Sequence, residues 1–99
     1  MPELADLRVE IDALDTQRLE ILSKRFDVTK KAGAYKAAHG IPVQDLAREQ
    51  AQIERLRGLA AEHGLNPDFV AEMWTLLFRA VVTEHLEIAQ QASLGDTGE

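Results

Sequence analysis

Residues 4–38, LADLRVEIDALDTQRLEILSKRFDVTKKAGAYKAA, decide the fold. Steps of three and four residues connect Leu4, Leu7, Ile11, Leu14, Arg18, Ile21, Arg25, Val28, Ala32 and Tyr35. This is the seam of an amphipathic helix, and no seam position is glycine or proline. It predicts a single helix from Leu4 to about Ala38. Two seam positions are arginine, which is costly at an apolar contact unless something pairs with it. Lys36 comes eleven residues after Arg25, about 20° from the same face and roughly 16 Å further along. The helix thus presents an apolar stripe with two long cations leaning toward one region. The rest of the chain has to cover that stripe and supply what the cations bind.

The chain has 99 residues, the size of one domain with a modest core. Its net charge of −6 argues against a nucleic-acid partner and against a basic membrane-surface role. Clustered cations are the more informative for running against that average. There is no cysteine, hence no disulfide framework and no thiolate metal site. The start is acidic and lacks an apolar signal core, and no apolar run approaches spanning length. A soluble, cytoplasmic protein with no membrane partner is expected.

The first helix is too long for a compact domain of this size. At about 1.5 Å per residue it spans roughly 50 Å, against a radius of gyration near 13 Å. Two further helices cannot cover the whole stripe, so a homodimer with paired long helices is expected. The alternative is a monomer whose first helix breaks around Asp12 to Gln17. Gly40, and His39 in the last turn, suit the end of helix one. Pro42 cannot sit inside a helix, so residues 40–43 form a connector. Helix two is expected from Val43–Asp45 to about His63, with Leu46, Ile53, Leu56 and Ala60 on its buried side. Asn66-Pro67-Asp68 is a start signal of cap, proline and acid. Helix three is expected from Pro67 to about Ala92, burying Val70, Met73 or Trp74, Leu77, Val81, His85 and Ile88. Residues 1–92 form the domain, and 93–99 an acidic tail that frays.

Conventional catalytic signatures are missing. There is no glycine-rich phosphate loop, nucleophile elbow, His-x-x-x-His pair or carboxylate cluster with metal spacing, and no metal is expected. What remains is a set of charges on facing helices: Arg8, Arg18, Arg25 and Lys36, then Asp45, Arg48 and Glu49 within one turn. Arginine forks match carboxylates bidentately, so such a site suits a small di-acid that also carries a hydroxyl. Arg8 and Arg25 are seventeen residues apart, about 25 Å along the helix and roughly 100° around it. They cannot grip one small ligand within one chain. In an antiparallel dimer Arg8 can reach the neighbour's pocket.

The pattern Leu7-Arg8-x-x-Ile11-Asp12-x-Leu14-Asp15, Lys24-Arg25, Gly33-x-x-Lys36 and Pro42-Val43-x-Asp45-x-x-Arg48-Glu49 resembles the all-helical chorismate mutases. The resemblance covers about residues 4–90. It implies an all-α fold of one long and two shorter helices, intertwined as a homodimer with two equivalent sites. It implies a Claisen rearrangement of chorismate to prephenate, a step toward phenylalanine and tyrosine, without metal or organic cofactor. By matching position, Arg25 would bind one substrate carboxylate and Arg8 of the other chain the second. Lys36 would donate to the ether oxygen and a carboxylate. Glu49 would accept from the ring hydroxyl beside Asp45, with Arg48 at the pocket edge.

Two positions depart from the family pattern. Val81 stands where many members have a serine that contacts a carboxylate. His85 stands where they have a glutamine or glutamate at the ether oxygen, and an imidazole N–H could take over that donation. Other readings are an isochorismate-pyruvate lyase, whose relatives tend to lack the equivalents of Arg48 and Glu49, and an amino-chorismate mutase. A further alternative is a dimeric helical module without activity, or one that needs a larger shikimate-pathway enzyme. Arg18 is expected to snorkel or to pair with an acid.

Overall fold

The computed structural model describes residues 3–96. It holds three helices and, among the described residues, no strand: α1 (Leu4–His39), α2 (Leu46–Glu62) and α3 (Pro67–Asp96). Local chemistry sets the ends. Glu3 N–H donates to Asp6 Oδ2 at the start of α1. At its other end Gly40 takes φ 63°, and the N–H groups of Gly40 and Ile41 both reach Lys36 O, closing the helix as left-handed glycine caps do. His39 Nδ1 lies 2.8 Å from Tyr35 O and donates to it. Asp45 Oδ1 caps α2 by accepting from Arg48 N–H at 3.0 Å. Asn66 Oδ1 accepts from the N–H groups of Asp68 and Phe69, and Pro67 follows as first helical residue.

α1 is unbroken through Asp12–Gln17. Its 36 residues make a rod about 54 Å long. The chain measures 67 × 27 × 15 Å, with a radius of gyration of 17.9 Å, well above the roughly 13 Å of a compact chain of this length. α3 packs on both α1 and α2, while α1 and α2 do not pack on each other among the described residues. Leu56, Ala60 and Val70 form the core where α2 meets α3, with Leu59 and Trp74 against it. No helix among the described residues is long and apolar enough to cross a membrane.

Three expectations need correction. The face that α1 turns to its own chain is Leu22, Phe26, Thr29, Gly33 and Lys36, which are half-buried or buried, whereas Ile21, Val28, Ala32 and Tyr35 are exposed. The covered stripe is displaced by one residue, or 100° around the helix. Apolar side chains lie on both faces, and periodicity does not say which of them α3 covers. Leu46 is 67% exposed; it lies about 80° around α2 from Leu56, off the face that meets α3. Finally, α3 continues to Asp96, past its expected end near Ala92, and residues 97–99 of the expected tail lie outside the described residues.

Candidate active site

A cavity of about 290 Å³ opens where the second half of α1, the connector, the start of α2 and the middle of α3 meet. Arg25, Lys36, Asp45, Arg48, Glu49, Val81 and His85 all border it. The eighth residue singled out in the sequence, Arg8, is exposed and does not. Three cations and two carboxylates thus face one small space.

Lys36 is held from two sides. The Gly40 cap turns the connector back so that Val43 O lies 3.1 Å from Lys36 Nζ and accepts from it. His85 Nδ1 lies 3.4 Å away on the other side. An ammonium carries three N–H bonds, so one remains for a ligand in the cavity.

His85 is 3% exposed. Its Nε2 lies 2.7 Å from Thr29 O. A carbonyl only accepts, so Nε2 carries the proton and donates. Nδ1 faces an ammonium, which only donates, so Nδ1 offers its lone pair. The ring can come this close because residue 33 is glycine. A Cβ there would stand 2.6 Å from His85 Cδ2 and 2.9 Å from Ile88 Cδ1. The N–H that a neutral ring could offer a substrate is therefore already given to Thr29.

The other residues divide into those with partners inside the protein and those without one. Asp45 spends Oδ1 on the α2 cap, where a negative charge also meets the positive helix end. Glu49 is half-buried, and its Oε2 accepts from Gln44 Nε2 at 3.0 Å. Arg25 Nη1 is buried and has no hydrogen-bond partner among the described residues. Arg48 is exposed at the rim, and Val81, with Phe78 and Val82, makes an apolar wall.

Gln52 also lines the cavity and was missed in the sequence. Its signal was there: it follows Arg48 by four residues and Glu49 by three, the spacing of one helix face. Arg18 lies elsewhere, 3.6 Å from Asp15 in an exposed pair, beside an apolar groove bordered by Leu19, Leu22, Met73 and Leu77.

An all-helical domain with a small pocket lined by three cations and two carboxylates is the class that this geometry defines. The chain matches the family model for chorismate mutase type II over residues 7–86, and it belongs to that family. It is similar to the 4-amino-4-deoxychorismate mutase of Streptomyces venezuelae, with 33% identity covering 76% of this chain and 73% of the relative. It is similar to the chorismate mutase of Methanocaldococcus jannaschii, with 28% identity covering 96% and 91%. The bifunctional chorismate mutase/prephenate dehydratase of Escherichia coli is 31% identical over 89% of this chain, which spans 23% of that larger protein.

Proposed function

We propose that this chain rearranges chorismate to prephenate in the cavity between α1, α2 and α3. The observation that carries this reading is Arg25 Nη1, a buried guanidinium nitrogen without a partner on a wall shared with Lys36 and Arg48. An unpaired buried charge is costly, and a substrate carboxylate answers it with a charge-assisted pair. Arg48 guards the rim. The remaining N–H of Lys36 donates to the ether oxygen of the breaking bond, and the second oxygen of Glu49 accepts from the ring hydroxyl.

A pericyclic rearrangement needs no nucleophile and no proton transfer. It needs the two ends of the substrate held together, an orientation effect worth several kcal/mol, on the order of 7–11 at best. It also needs fixed positive charge where the C–O bond breaks, which preorganised donors supply without reorganising. Residues fixed by their own chain, as Lys36 is by Val43 and His85, meet the second requirement.

The second substrate carboxylate is bound by Arg8 of a second copy, in an intertwined homodimer. Leu4, Leu7, Ile11 and Leu14 support this reading, since all are exposed on a rod that outreaches its own fold. Burying each would contribute about 2 kcal/mol.

A second reading, an amino-chorismate mutase, draws its support from the similarity to the Streptomyces enzyme. A ring amine would donate to Glu49 as a hydroxyl does. The experiment that separates the readings gives the purified chain chorismate, 4-amino-4-deoxychorismate and isochorismate and identifies the products. Prephenate as the fastest-formed product is expected. Faster turnover of the amine would move the substrate, and salicylate with pyruvate would make the chain a lyase. Trace turnover that rises on adding a larger pathway enzyme would make it partner-dependent.

A further inference from the structure

We infer that His85 is a positioning residue for Lys36, fixed as the Nε2–H tautomer by the Thr29 carbonyl and offering Nδ1 to the ammonium. This inference rests on the reading of the cavity as the mutase site. Three observations carry it. Nε2 stands 2.7 Å from an atom that can only accept. Nδ1 stands 3.4 Å from a group that can only donate. The ring is 3% exposed and wedged against Gly33, where even a methyl group would collide with it.

The ring therefore has one proton and one lone pair, and both are used inside the protein. A second ring proton would point at the Lys36 ammonium. Turning the ring to give its N–H to a substrate would abandon Thr29 O and set a lone pair or a C–H against it. With Val43 O on the other side, His85 leaves Lys36 one N–H directed to the cavity. Lys36 is then the sole donor from these two residues to the ether oxygen, and the neutral imidazole works through it. Thr29, Gly33 and Lys36 fall on successive turns of one α1 face, so a single helix supplies the anchor, the space and the amine.

Long-range proton–nitrogen correlation spectra of the histidine rings test the assignment in the resting protein, with His85 identified through the His85→Asn variant. The expected result is a protonated Nε2 and a bare, hydrogen-bonded Nδ1, with Lys36→Met shifting the Nδ1 resonance and leaving Nε2 in place. A proton on Nδ1, or on both nitrogens, overturns it, as does an Nδ1 resonance indifferent to Lys36→Met. Kinetics test the consequence. His85→Asn keeps an amide oxygen near the place of Nδ1, while His85→Leu keeps none. The Asn variant is expected to retain a kcat about ten-fold above that of the Leu variant, with KM values within roughly three-fold of each other. Equal loss of kcat in both overturns the positioning role. If the wild-type protein does not turn over chorismate, the mutase reading fails, and the spectra alone decide the role of His85.

Discussion

The two halves of α1 carry similar numbers of apolar residues and meet different fates. In the first half Leu4, Leu7, Ile11, Leu14 and Ile21 remain 42–66% exposed. In the second half Leu22, Phe26 and Thr29 are half-buried and Gly33 is buried. The groove that α1 shares with α3 begins only at Asp15. Everything earlier runs past the end of its own fold. The second half turns one face to its own chain, while Val28 and Tyr35 stay exposed on the other, and it carries Arg25 and Lys36. The first half carries Arg8 and has no cover of its own. In one continuous helix, apolar content says that a surface needs covering, and chain length says whether the same molecule can do it.

Mixing subunits is the strongest way to break this comparison. Lys36→Met is expected to lower kcat/KM by about 10³-fold, and Arg8→Ala by about 10²-fold, because each removes charge from the substrate or the breaking bond. If each site combines Arg8 of one copy with Lys36 of the other, a heterodimer of the two variants has one site with both lesions and one with neither. Equal mixing followed by subunit exchange should then restore about a quarter of wild-type activity, as two-fold symmetry requires. Activity no higher than the average of the two variants would mean that the first half of α1 does not complete a neighbour's site.

Gly33→Ala sharpens the other side of the comparison. The added methyl would meet His85 at 2.6 Å, and such overpacking costs about 1–3 kcal/mol. Urea unfolding of the variant should show that loss. Unchanged stability would mean that α1 and α3 are free to move apart where they look tightest.

The smallest effect is expected at Asp45. Removing the α2 cap with Asp45→Ala should cost about 1 kcal/mol of stability, with little change in KM. A large rise in KM at unchanged stability would make Asp45 a substrate contact instead of a cap.

Much of the site was legible because its charges are out of place. Arg25 interrupts a largely apolar seam, Lys36 falls about 20° from the same face, and Asp45, Arg48 and Glu49 crowd one turn; all five border the cavity. Gln52 was passed over because it bears no charge, although its spacing places it on the same face. Gly33 was read as part of a family pattern and not as a contact, since nothing in the sequence names the ring opposite it. The Thr29 and Val43 carbonyls that set the tautomer of His85 and the place of Lys36 belong to the backbone and have no signature in side-chain identity.

The sequence by itself determined where the helices start, where α1 and α2 stop, and that cations would gather in an acidic chain. Those are local matters: a period of 3.6 residues, a capping aspartate or asparagine, a glycine able to take φ 63° at position 40. The tertiary structure alone decided which stripe of α1 is covered and what His85 touches. His85 meets Lys36 across 49 residues of chain and Thr29 across 56. Contacts of that separation depend on how two helices pack, and the packing here turns on the absence of a single methyl group at Gly33.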